Sequence, residues 1–250
     1  MKIESIVENL IPDSMITRSD IENFVCQIKS DYSMRTIDRL IRRLTEGRVV
    51  QRVSKSHFLV LNGGDAKPPY SYEHSDYAQN VIKIIEEKYP LVEFQIWEFV
   101  QFNEFVNHQI GNNVLFVEVE KMLMDSVYNA LAEIYPSVLV APNEELFYTY
   151  RNRDTIVVQN LISEAPMPIK GTKSCCLEKL LVDLFSQKLV GHLIQRSEYP
   201  AIFEEAFSKF LIDEKKMLRY ARRRSLEKDI LDFIDQKTNI ILLTERINVR

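Results

Sequence analysis

The run SMRTIDRLIRRLTEGRVVQRVSKSHFLVL, residues 33 to 61, decides how the chain begins to fold. Ile37, Leu40, Ile41 and Leu44 recur at the spacing of one helical face. Arg35, Thr36, Arg39, Arg42 and Arg43 occupy the other faces. Ser33 stands where an N-cap would accept a backbone N–H bond, and Gly47 where a helix would stop. Arg48 to Val53 and His57 to Leu61 are β-rich, and Ser54, Lys55 and Ser56 between them make a polar hairpin tip. Upstream, Ile21, Phe24, Val25 and Ile28 place an amphipathic helix over Ser19 to Ile28. Polar residues from Lys29 to Tyr32 separate the two helices.

Helix, short turn, basic helix and hairpin follow one another in the order of a winged helix-turn-helix. In such a unit the N-terminal residues of the second helix reach base edges, and arginine can bond guanine through two N–H groups. Arg35, Thr36 and Arg39 hold that place here, while Arg42 and Arg43 lie further along, where phosphate is the natural contact. Arg18, Ser33, Lys55 and Ser56 complete the expected DNA-binding set. A solvated basic face, or a winged helix that binds protein, explains the same residues without DNA.

The whole chain has 250 residues, 46% hydrophobic and 27% charged, enough to bury a core in one large domain or two modest ones. Formal net charge is -4, which excludes nucleic-acid binding over the whole surface and makes any DNA contact local. The basic residues Arg18, Lys29, Arg35, Arg39, Arg42, Arg43, Arg48, Arg52 and Lys55 outnumber the acids Asp20, Glu22, Asp31, Asp38 and Glu46 between Arg18 and His57, so the remainder is acidic. Cys26, Cys175 and Cys176 offer no ordinary disulfide and no zinc spacing; Cys26 falls near the apolar side of its helix, as a core residue would. Neither a signal peptide nor a membrane-length apolar run is present, which points to a cytoplasmic protein.

Gly63-Gly64 and Pro68-Pro69 punctuate a break that starts at Asn62. The expected organisation is a winged helix-turn-helix over 1–62, a linker over 63–69 and an α/β domain over 70–250. Beyond the linker, helix Tyr77 to Lys88 precedes strands at Val92 to Phe99, Val114 to Val119, Val138 to Ala141 and Thr155 to Gln159. Helices at Gln101 to Gln109, Lys121 to Tyr135 (Met122, Leu123, Val127, Leu131 and Ile134 inward) and Asn143 to Phe147 alternate with them. That alternation predicts a mixed, partly parallel sheet. Leu177 to Val190, Pro200 to Leu211, Glu214 to Arg224 and Leu226 to Asp235 form a C-terminal helical set, and Ile240 to Leu243 is a last strand or a helix end. The fold class is therefore α+β.

No catalytic, metal or cofactor motif emerges. A metal-dependent nuclease of the PD-(D/E)xK kind needs strand-end carboxylates and a lysine two residues beyond one of them. Glu118, Glu120 and Lys121 have the wrong spacing, and Glu86-Glu87-Lys88 falls on a helix. His57, His74, His108 and His192 have no Ser or Cys partner at a telling spacing. His192, beside Gly191, reads as a helix-terminus residue. Glu178, Lys179 and Asp183 surround an apolar stripe, and Arg219, Arg222, Arg223 and Arg224 form a basic helix end. Helix-dipole complementation accounts for that end, and an acidic partner surface would also fit it.

Taken together, Met15-Ile16-Thr17-Arg18-Ser19-Asp20-Ile21, the helix to Gly47, the hairpin, Leu177 to Phe185, Phe203-Glu204-Glu205-Ala206-Phe207 and Leu218-Arg219-Tyr220-Ala221 resemble the AbiEi-type antitoxins of type IV toxin–antitoxin systems. The resemblance implies a non-enzymatic repressor that binds operator repeats in its own promoter. It also implies a C-terminal domain that neutralises a nucleotidyltransferase-like toxin, with Glu178, Lys179, Asp183, Arg219, Arg222 and Arg223 as the expected partner-binding face. The alternatives are a DNA-targeted nuclease-like defence protein and a transcription factor whose α/β domain senses a ligand. The expected partners are double-stranded DNA and the toxin, without a membrane, cofactor or metal.

Overall fold

Thr17 opens the first helix by a reciprocal cap. Its backbone N–H and hydroxyl each donate to the Asp20 carboxylate at 2.7 Å, and its hydroxyl accepts from the Asp20 amide. The computed structural model describes residues 10–12, 14–28, 33–47, 49–53, 55–61, 67–106, 108–166, 172–186 and 189–243. Ser54 of the expected hairpin tip, and 62–66 of the expected break and linker, lie outside them. No helix among the described residues is long and apolar enough to cross a membrane. The chain forms two compact units, Met1–Pro68 with Asp213–Lys215 and Ile241–Arg250, and Pro69–Ile212 with Lys216–Ile240.

The first unit runs β1 (Met15–Thr17), α1 (Arg18–Ile28), α2 (Met34–Glu46), β2 (Val50–Arg52) and β3 (His57–Val60). The order in its antiparallel sheet is β1-β3-β2, with Ile16 opposite Phe58 and Val50 opposite Val60. Strand β1 has only three residues, too few to show a period-2 pattern, and is absent from the sequence reading. Ile16, Ile21, Val25, Ile37, Leu40, Ile41, Leu44, Val50, Phe58 and Val60 make one core. Cys26 is exposed rather than part of it: it follows Val25 round to the solvent side of α1. Ser33 does sit at the N-cap of α2, but its hydroxyl lies against that of Thr36 at 3.1 Å instead of capping the backbone. Gly47 ends α2 at φ -77, so the left-handed conformation that favours glycine is not used.

The second unit carries α3 (Asp76–Lys88), β4 (Phe94–Glu98), β5 (Val114–Val119), α4 (Met124–Ala132), β6 (Val138–Val140), α5 (Glu144–Tyr150) and β7 (Thr155–Asn160). Its sheet has the order β4-β5-β7-β6, with β4 antiparallel to β5 and the other pairs parallel. The fold class is thus α+β with a mixed sheet. Alternate residues face opposite layers. Phe94, Ile96, Leu115, Val117, Val119, Ile156 and Val158 join the core that includes Val81 and Ile85 of α3 and Val127 and Leu131 of α4. The other parity brings Trp97 and Phe116 into a stack at 4.0 Å. Every residue of β4 and β5 is buried, so charged members of these strands must find partners inside.

Several helices are shorter than expected. Phe99–Glu104 is a 3-10 helix opened by a capping box between Glu98 and Gln101, where a helix over Gln101 to Gln109 was expected. Lys121–Leu123 is also 3-10, and it turns Met122 outward; Ile134, past the end of α4, is exposed too. The expected helix over Leu177 to Val190 is two: α6 (Leu177–Asp183) and α7 (Val190–Leu193). A Cβ on Gly191 would meet the Ser186 carbonyl oxygen at 2.0 Å, so the break depends on the absence of a side chain there. Helices α8 (Tyr199–Lys209, with Pro200 in its first turn), α9 (Glu214–Arg223) and α10 (Glu227–Lys237) follow. Residues 240–242 are neither strand nor helix.

Candidate functional site

Helix α2 is strongly two-faced. Ile37, Leu40, Ile41 and Leu44 are buried, and Arg35, Arg39, Arg42 and Arg43 are exposed. None of these four arginines has an acidic partner among the described residues. Thr36 is half-buried beside them, and Ser33 is exposed at the helix start. At the hairpin, Lys55 and Ser56 are exposed, and Arg52 donates to the Lys55 carbonyl at 3.3 Å while lying over the Phe58 ring. Arg52 thus adds a cation to the face, and its alternation with buried Val53 is the signal that could have included it. Arg18, expected in the DNA-binding set, is engaged elsewhere: it bonds Glu22 and Asp38, both at 2.8 Å, and ties α1 to α2. Its position one residue after the strand turns it inward across the two helices.

The second unit holds its charges differently. Lys179 and Asp183, expected on an exposed partner face, are 0% and 4% exposed, and Glu178 is 8% exposed. The reason is that α6 carries apolar residues on all sides, and such a helix is buried whole. The Lys179 ammonium donates to Glu118 at 2.7 Å and to Asp183 at 2.6 Å. Glu118 Oε1 also accepts from Trp97 and Gln159. Asp183 Oδ1 accepts from Tyr220 at 2.9 Å and from Arg224 at 2.7 Å, and Arg224 reaches Ser186 as well. Two carboxylates and two cations balance. Burial alone would pull the Lys179 pKa down; Asp183 and Glu118 outweigh it and hold the ammonium well above its ordinary value. A hollow of about 10 Å³, room for a single water, lies beside the cluster. Arg219, Arg222 and Arg223 are exposed, with Arg222 on Glu227 and Arg223 on Ser163.

Glu120 and Lys121, weighed with Glu118 for a nuclease site, point to solvent while Glu118 is consumed by the internal cluster. Glu86, Glu87 and Lys88 lie exposed on α3. Among the described residues no group of three or more His, Cys, Asp and Glu side chains is placed to hold a metal.

A second polar cluster lies at the end of β4, on the α3 side of the sheet. His74 Nε2 is 2.7 Å from the Ser174 hydroxyl, a residue 100 positions away. His74 Nδ1 faces Glu98 Oε2 at 3.6 Å. Glu98 is fully buried and accepts from the Ser75 amide, the Ser75 hydroxyl and Asn113. Burial would raise its pKa, but the contacts from His74, Ser75 and Asn113 prevail and bring it to about 2. Sequence spacing held no sign of this group, because the chain returns to His74 only through the packing of residues 173–175 along β4.

No curated protein matches the chain. A family model described as "Family of unknown function (DUF6577)" matches residues 36–240, from within α2 to the end of the second unit, and the chain belongs to that family.

Proposed function

We propose that the protein is a DNA-binding regulator whose first unit works as a winged helix, with α2 as recognition helix and the β2–β3 hairpin as wing. The observation that carries this reading is the row of four exposed arginines on α2 without acidic partners among the described residues, opposite a fully buried apolar face. Solvated basic faces normally intersperse both signs, and an unneutralised row is what a polyanion recruits. Gel-shift titrations on DNA from the protein's own promoter test it. The Arg35→Ala, Arg39→Ala double variant should lose specific affinity by about 1–3 kcal/mol per base contact while retaining its fold. Unchanged affinity of the folded double variant would reject the reading.

The AbiEi resemblance extends the proposal to autorepression and to neutralisation of a nucleotidyltransferase-like toxin in the cytoplasm. With Glu178, Lys179 and Asp183 internal, the face left for that role is Arg219, Arg222 and Arg223 on α9. Arg222→Glu with Arg223→Glu should abolish rescue of toxin-expressing cells and leave DNA binding intact. Full rescue by the folded variant removes this face from the proposal.

A further inference from the structure

The Ser174, His74 and Glu98 cluster has a geometry that a mere packing contact does not require. A structural histidine normally satisfies both ring nitrogens. Here buried Nδ1 has no hydrogen-bond partner among the described residues, and the group it faces is the Glu98 carboxylate at 3.6 Å. That carboxylate is itself held by three donors and by the capping turn that follows β4. On the opposite side of the ring, Nε2 meets the Ser174 hydroxyl at 2.7 Å. The ring of Tyr72 packs edge-on against the imidazole, centroids 5.6 Å apart. Ser174 is fixed in turn: Ile96 donates its amide to the Lys173 carbonyl at 2.8 Å, and Cys175 donates to the Ile96 carbonyl, so 173–175 run parallel beside β4. Next to Ser174 opens a hollow of about 60 Å³, lined by Tyr70, Ser71, Tyr72, Thr172 and the two cysteines.

We infer that Ser174, His74 and Glu98 form a nucleophile, base and positioning carboxylate for acyl transfer, acting on a small ester whose acyl group fits the hollow. A hydroxyl becomes nucleophilic when a base within hydrogen-bond reach takes its proton, provided a third group orients that base. The hydroxyl and the base are within reach at 2.7 Å, and Glu98 faces the other ring nitrogen at 3.6 Å, a separation that a small approach of the ring closes into an orienting hydrogen bond. Glu98 draws the ring proton to Nδ1, which leaves Nε2 as the acceptor. The Ser174 oxygen attacks the ester carbonyl carbon and passes its proton to His74 Nε2. The carbon–oxygen bond of the ester breaks, and the departing alkoxide takes that proton as an alcohol. Water then attacks the acyl-serine, gives one proton to His74, and the Ser174 oxygen leaves and recovers it. Ester and water become acid and alcohol with no other reactant. The hollow is far smaller than a drug-sized pocket, and its lining is largely apolar and aromatic, which restricts the acyl group to a short, uncharged one.

The test is covalent labelling of the full-length protein by a small fluorophosphonate, which reacts with base-activated serines and not with ordinary ones. Intact-mass and peptide analysis should find one adduct, on Ser174, which does not form when the protein is denatured before labelling and is absent from Ser174→Ala. His74→Asn, checked for folding by its melting curve, should slow labelling by 100-fold or more. For Glu98, the readout is the imidazole ¹⁵N spectrum: His74 should carry its proton on Nδ1, and Glu98→Gln should shift that tautomer balance. A folded wild-type protein that takes no adduct at Ser174 overturns the inference. So does labelling that proceeds at the same rate in His74→Asn, which would make the cluster a clasp for the edge of β4.

Discussion

Two sets of cations, one in each unit, are placed in opposite ways. In the first, Arg35, Arg39, Arg42 and Arg43 stand in solvent with no carboxylate among the described residues paired to them. In the second, Lys179 and Arg224 are drawn inside and each meets a carboxylate at 2.7 Å. An exposed, unneutralised cation contributes nothing to its own fold and is available to an outside anion. A buried, neutralised one is unavailable to any partner, and its removal leaves a charge stranded. The contrast separates residues left available to a partner from residues that decide whether the domain forms, although both groups look alike in a charge count.

The contrast is strained most by removing a buried cation. Lys179→Met keeps the volume and the helix propensity of α6 but leaves Glu118, among the described residues, with the neutral donors Trp97 and Gln159. We expect a loss of about 3–5 kcal/mol, a large part of the stability of an ordinary domain. Urea unfolding of the second unit's tryptophan signal measures it. Lys179→Met combined with Glu118→Gln should recover part of the loss, since Asp183 retains Arg224 and Tyr220. The same substitution pair should leave DNA binding untouched, and a change there would erase the division between the units.

Glu98 sharpens the comparison through pH. Its carboxyl is depressed from an ordinary 4.5 to about 2. A depressed carboxylate stabilises the fold fully above the unfolded value and loses that contribution as pH falls through the folded one. The shift corresponds to something on the order of 3 kcal/mol, withdrawn between about pH 4.5 and pH 2. Glu98→Gln should be less stable at pH 7 by that order, and the gap to the wild type should narrow steadily over the acid window. Melting temperatures recorded from pH 7 to pH 2 provide the check. A gap that stays constant would mean that shape, not charge, holds the turn after β4.

How much of this was legible follows from what kind of signal each feature leaves. The basic helix was readable because four apolar residues repeat at one period and the arginines fall between them. Strand β1 was not, because three residues cannot display a period. Lys179 and Asp183, charged residues beside an apolar stripe, were expected with Glu178 on an exposed partner-binding face. The contrary sign was present in Leu177, Leu180, Leu181, Val182 and Leu184, which leave α6 no polar face for solvent. The break before Gly191 was hidden because apolar periodicity does not show that the Ser186 carbonyl, five residues back, lies where a side chain at Gly191 would go. Ser174 and His74 are separated by 100 residues, and only a sheet-edge pairing joins them. Local periodicity carried the first unit; long-range return of the chain built the sites of the second.

The smallest effect tests the finest distinction, within the first unit itself. Lys55 is exposed at the hairpin tip, whereas Arg35 and Arg39 stand near the start of α2. An ammonium is a compact point charge without the planar fork that reads guanine, so its natural contact is phosphate. A phosphate contact acts through counterion release and is blind to sequence. Lys55→Ala should therefore weaken binding to the promoter and to unrelated DNA by the same factor. It should also lower the slope of log affinity against log salt by about 1. The Arg35 and Arg39 variants should instead narrow the gap between promoter and unrelated DNA. Titrations of both DNAs at several salt concentrations distinguish the two patterns. If Lys55→Ala lost only promoter affinity, the hairpin would be reading bases, and the division of labour between α2 and the hairpin would have to be redrawn.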